Sequence, residues 1–127
     1  MVLTEESKIE EKVRKILSKK YGKSLTKRKL IVAYRSDGKP VKHEFDIVSA
    51  DEMIVGEVKS DKYTKKAYYN TRFPRLLTAC FYLNKTQAKK KLLVLTNETL
   101  YDHFKKDMDG VISDIEIMNI PADKLKK

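Results

Sequence analysis

Val41-Lys42-His43-Glu44-Phe45-Asp46-Ile47-Val48-Ser49-Ala50-Asp51-Glu52-Met53-Ile54-Val55-Gly56-Glu57-Val58-Lys59 decides the fold. Val41, His43, Phe45 and Ile47 alternate with Lys42, Glu44, Asp46 and Val48, the period-two pattern of a strand with unlike faces. Met53 to Val58 is a second strand, and the short polar Ser49–Glu52 between them predicts a hairpin. Side chains in a strand repeat every two residues, so Glu57 and Lys59 project from one face and Val58 from the other. If Asp46 faces the same side, two carboxylates and an ammonium converge. Like charges held close are costly unless a cation neutralises them, and oxygen donors suit a hard divalent ion. On the same alternation His43 shares a face with Phe45 and Ile47, away from Asp46, which predicts packing rather than chemistry for it. The plainer alternative for Asp46, Glu57 and Lys59 is an exposed strand face with a cross-strand salt bridge.

Outward from that stretch, Leu30–Tyr34 reads as an earlier strand, joined to it by the Ser36-Asp37-Gly38-Lys39-Pro40 turn. The three strands form an antiparallel meander with the Asp46 strand in the middle. Lys23–Lys29 reads as a basic loop. Before it, Ile9, Val13, Ile16, Leu17 and Tyr21 recur at helical spacing over about residues 5–20, with Thr4 as cap and Gly22 as stop. Ser7 with Glu10 offers a competing capping box.

After Lys59 come the cations and rings of Lys62–Arg72, then Pro74 at a kink or a first helical turn, and an apolar helix over Arg75–Leu83 expected to be buried. Leu92–Thr96 has the continuous apolar character of an inner strand. Asn97 caps a helix through Lys106, with Leu100, Tyr101 and Phe104 inward, and Val111–Ile120 is a last strand. The tail from Ala122 is expected to fray. Helix, three-strand meander, helix, strand, helix, strand is an α/β arrangement bordering on α+β, in one domain over residues 1–127.

Asp46, ten residues, then Glu57-Val58-Lys59 resembles the PD-(D/E)XK motif of restriction-endonuclease-like nucleases, a superfamily that includes archaeal Holliday junction resolvases. Phe45 stands where the motif's proline is usually written. Glu-x-Lys occurs also at Glu6-Ser7-Lys8 and Glu10-Glu11-Lys12, but only the copy at Glu57 ends an apolar strand that follows an Asp-bearing one. The resemblance extends over nearly the whole chain through the order of elements, and implies a restriction-endonuclease-like core. It implies a metal-dependent endonuclease on DNA, with Asp46, Glu57 and the Val58 carbonyl holding Mg²⁺ or Mn²⁺ and Lys59 orienting or deprotonating the attacking water. Ile9-Glu10-x-x-Val13-x-x-Ile16-Leu17 resembles the family's first helix, in which a Glu beside the core reaches the metal; Glu10 is that candidate, with Glu6 and Glu11 as substitutes. A junction-resolvase-like enzyme would be a homodimer, since one site cannot handle a symmetric four-way substrate.

The net charge of +10 favours polyanionic partners, nucleic acid first and acidic membrane surface second; the resemblance makes that nucleic acid DNA, with RNA left open and no membrane partner. Lys62, Lys65, Lys66, Tyr69 and Arg72 are the candidate contacts, cations interleaved with rings as a phosphate-tracking surface requires. A non-catalytic module of the same fold, or an RNA-processing or assembly protein, are the other functional classes open to such a chain. Cys80 as the single cysteine excludes an internal disulfide and a cysteine-rich zinc site, and its apolar neighbours predict a small buried hydrophobe. His103 is expected at or near the surface rather than as a ligand. No apolar run approaches the roughly 20 residues of a bilayer span, and the charged first residues do not resemble a secretory signal, so the expected compartment is the cytoplasm.

Overall fold

Thr4 Oγ1 accepts the Ser7 N–H at 3.0 Å, opening α1 (Glu5–Tyr21) with Glu5 and Glu6 in its first turn. Gly22 closes α1 at φ 65°, a left-handed conformation that favours glycine. Because Thr4 makes the cap, the Ser7–Glu10 box is not needed and Glu10 is left to turn inward. This computed structural model describes residues 4–125.

The elements that follow are β1 (Leu25–Tyr34), β2 (Pro40–Ser49), β3 (Ile54–Lys59), a π-helical turn (Tyr68–Arg72), α2 (Phe73–Asn84), β4 (Lys90–Leu95), α3 (Glu98–Asp107) and β5 (Ile115–Asn119). A 3₁₀ turn, Ala122–Leu125, ends them. The five strands form one mixed sheet in the order β1-β2-β3-β4-β5. β1–β2 and β2–β3 are antiparallel, the expected meander, while β3–β4 and β4–β5 are parallel, their crossovers carrying α2 and α3.

Helices cover both faces of the sheet. α1 packs Val13 and Leu17 against Leu25, Ile47, Val58, Leu92 and Val94. α2 and α3 pack Leu76, Cys80, Leu83, Leu100 and Phe104 against Phe45, Val55, Leu93 and Leu95 on the other side. Alternate β4 residues therefore enter opposite cores, which is why its sequence is apolar throughout. Cys80 is buried as expected, and burial pushes its thiol up to about 11.

Several boundaries differ from those expected. β1 begins at Leu25, so most of Lys23–Lys29 is strand and not loop; its cations line the sheet edge at positions that pairing with β2 holds extended. β5 begins only at Ile115, leaving Val111 69 % exposed in the turn around Gly110. α2 buries one stripe, not its whole surface, since Leu77 and Phe81 stay exposed. The tail does not fray where expected, because Leu125 is 4 % exposed within the α1-side core. Its last residues, 126 and 127, lie outside those described.

The largest correction concerns Ile47. Two steps along β1, from Thr26 to Arg28, face three along β2, from Val48 back to Phe45. β2 thus carries an extra residue, a bulge at Asp46–Ile47. The bulge resets the alternation: Phe45 packs with α2 and Ile47 with α1, although period two assigned them one face.

Candidate functional site

Residue pairing between β2 and β3 is confined to Ile47–Gly56 and Val48–Val55. Just beyond it the bulge sets the Asp46 side chain across the seam, where Oδ2 accepts the Val58 N–H at 2.8 Å. A side chain here bonds a main-chain donor of the neighbouring strand. Asp46 is 8 % exposed and Glu57, on the adjoining strand, 4 %.

Glu57 Oε2 lies 3.1 Å from His43 Nε2. The imidazole is stacked flat on Tyr82 of α2, 4.0 Å between centroids, and meets Phe45 edge-on. His43 packs as the alternation predicts, and its Nε2 makes in addition a contact to the Glu57 carboxylate that the alternation does not show. His43 and Phe45 precede the bulge and share the α2 face, and Glu57 alternates with Val58 to reach that same face.

Burial raises the pKa of Asp46; the nearby Glu57 charge adds to the rise, while the Val58 N–H, Lys27 and Lys59 oppose it. Burial likewise raises Glu57, opposed by the His43 hydrogen bond and by the charges of Lys59 and His43. Asp46, Glu57 and Lys59 are thus near enough to feel one another's charge. The cross-strand salt bridge does not form: Lys59 makes no ion pair with either carboxylate, and both acids are buried rather than exposed.

Glu10 is buried as well, at 5 % exposure, but its partner is Lys27 of β1, whose Nζ stands 2.9 Å from Oε1. The same Nζ lies 3.9 Å from Asp46 Oδ1 and 3.9 Å from Glu44 Oε1. Arg14 Nη1 of α1 donates to the Asp46 main-chain oxygen at 3.0 Å. Glu6 and Glu11 are both exposed on the outer side of α1, so neither replaces Glu10. Among the described residues no group of three or more His, Cys, Asp or Glu side chains is arranged to hold a metal ion. The four-part ligand set of Asp46, Glu57, Glu10 and the Val58 carbonyl is therefore not assembled. What is assembled is a buried carboxylate pair, Asp46 and Glu57, flanked by lysines. Two carboxylates and a carbonyl remain a suitable hard-oxygen donor set for Mg²⁺, which is commonly held by one or two carboxylates together with substrate phosphates.

Lys62, Lys65 and Lys66 are exposed in the segment that leaves β3. Tyr69 is 65 % exposed, its hydroxyl donating to Asp107 Oδ2 at 3.1 Å. Arg72 differs from the expected contact residue: half-buried, it donates through Nε to the Lys62 carbonyl at 3.1 Å and so braces the loop from inside. Asp61, 3.1 Å from Arg75 Nη1, completes that brace. His103 is exposed and stacked on Tyr63 at 4.1 Å, in keeping with a surface position.

Lys27, Arg14 and the His43 contact escaped the sequence reading. Between Leu25 and Leu30 the cations Lys27, Arg28 and Lys29 are consecutive, so no alternation marks a strand through Lys27 and the stretch reads as loop. Nothing in residue order marks the bulge. Compared with family models, with curated proteins and with solved structures, the chain gave no match.

Proposed function

We propose that the chain is a metal-dependent endonuclease with a restriction-endonuclease-like core, hydrolysing phosphodiester bonds in DNA. One observation carries this reading: Asp46 and Glu57, from adjacent strands, are buried side by side where strand pairing ends, each held above its ordinary pKa by burial, with Lys59 beside them. Two ionised carboxylates withdrawn from water are costly unless positive charge completes them. Asp46, Glu57 and the Val58 carbonyl would hold Mg²⁺ or Mn²⁺, which when bound supplies Lewis-acid stabilisation of the charge that develops on the phosphate.

The chain's own groups do the rest. Lys59 orients the attacking water and offsets phosphate charge as the pentacovalent transition state forms. His43 and the Val58 N–H fix one oxygen of Glu57 and of Asp46, so that each carboxylate presents a set orientation. Lys62, Lys65 and Lys66 hold the nucleic-acid backbone by charge. Selectivity for a four-way junction would require a homodimer, and light scattering on the free protein measures that directly.

A panel of single strand, duplex, flap, four-way junction and RNA, incubated with Mg²⁺, Mn²⁺ or chelator, tests the activity. Cleavage with either metal and none with chelator is expected, lost in Glu57→Gln and Lys59→Ala while binding persists. Product from no substrate with any metal rejects the enzyme. It leaves the non-catalytic binding module, a reading favoured by the Lys27 ammonium already sitting on Glu10. Cleavage or binding confined to RNA points to the RNA-processing class.

A further inference from the structure

Glu10 and Lys27 have no part in that scheme, yet both are placed with care. An ionised carboxylate withdrawn from water is costly unless paired, and Glu10 has its pair in Lys27 at 2.9 Å. Lys27 does more than serve Glu10, because its Nζ lies 3.9 Å from both Asp46 and Glu44. One ammonium from β1 is shared by carboxylates of α1 and β2. Arg14, also from α1, donates to the Asp46 main chain at 3.0 Å. The α1-facing side of Asp46 is therefore filled by two side-chain cations. On the side of Asp46 toward β3 stand Glu57, held by His43 at 3.1 Å, and Lys59, which is paired with neither carboxylate.

Two-metal phosphodiesterases set their ions about 3.5–4 Å apart across a shared carboxylate. Asp46 is the carboxylate that would be shared, and Glu10 is the acid that would anchor the outer ion. Lys27 stands between them. A lysine suits that task, being a compact point charge with three donors on a stem long enough to reach three acids.

We propose that Lys27 holds the place of a second cation, so that the centre takes one divalent ion, between Asp46 and Glu57, and Glu10 serves the ammonium rather than the metal. The single ion rests on the nuclease reading; the role of the ammonium does not.

Counting bound Mn²⁺ by electron paramagnetic resonance, with thermal melts alongside, tests the proposal on the full chain. The wild type is expected to bind one Mn²⁺, and Lys27→Arg one. Lys27→Met is expected to bind two, and to melt lower than wild type without Mn²⁺ but regain more on its addition. Lys27→Gln, which keeps a donor for Glu10, is the second variant should Lys27→Met not fold. Two ions in the wild type overturn the proposal whatever the variants do, and so does a count of one in both neutral variants. No ion in the wild type but one in Lys27→Met upholds the ammonium's role and rejects the metal-dependent nuclease. No ion in any of them rejects both.

Discussion

Glu57 Oε2 and His43 Nε2, from neighbouring strands, stand 3.1 Å apart, and Tyr82 lies flat under the imidazole at 4.0 Å. The ring is clamped by an α2 residue, so the direction in which Glu57 points depends on a helix that contributes no acid of its own. His43→Phe keeps the ring and its stacking but removes the nitrogen. Outer partners of metal-binding side chains are generally worth about 10–100-fold in metal affinity. The expected outcome is a loss of that order in Mn²⁺ affinity by calorimetric titration, with the fold retained. Unchanged affinity would reduce His43 to packing.

Asp46 and Glu57 both titrate above their ordinary values, burial being the first cause. The folded chain therefore binds protons that the unfolded chain releases. Stability from these groups is present below the unfolded pKa values, around pH 4, and is lost as pH rises through the higher folded values. Glu57→Gln escapes its share of that loss. Without divalent ions it is expected to melt above wild type at pH 7, the gap closing toward pH 4. Melting below wild type at pH 7 would contradict the sign.

Gly56 precedes Glu57 and is paired with Ile47 of the bulge. A Cβ there would lie 3.1 Å from Ile47 Cδ1, from Leu92 Cβ and from the Leu92 carbonyl oxygen. The last of these is main chain and cannot swing aside. Gly56→Ala should cost about 1–3 kcal/mol by denaturant unfolding, as overpacking does.

Lys62, Lys65 and Lys66 stand in solvent while Arg72 braces their loop. Replacing the three lysines by alanine is expected to lower the slope of log affinity against log salt on duplex DNA by roughly 2–3. Arg72→Ala should instead cost about 1 kcal/mol of stability and leave the slope nearly as it was. Equal slopes for the triple variant and wild type would remove the loop from the interface.

The sequence shows the order of elements well, because it depends on signals that are local. Thr4, Gly22 and Asn97 each mark a helix end by their own chemistry, and all three sit at those ends. The apolar run at Leu92–Leu95 identifies an inner strand wherever it is met. The neighbourhood of Asp46 and Glu57 is legible for a weaker reason: period two brings two strands together but does not say where the period breaks. An alternation that runs unbroken through Asp46 to Ile47 turns His43 away from the acids, and the bulge at Asp46–Ile47 breaks it there. Lys27 was hidden differently, since a cation among many in a lysine-rich stretch has no mark until α1 lays Glu10 beside it.

The bulge is one residue wide, and that width has a genetic counterpart. Loss of a single codon between Phe45 and Val48 would leave five strands to form, yet rotate the acid into the wrong layer. Loss of one in the exposed Ser36–Lys39 turn would move no such group. The geometry of this centre depends on chain length as much as on residue type, so a frame-preserving deletion disturbs it even where every remaining side chain is kept.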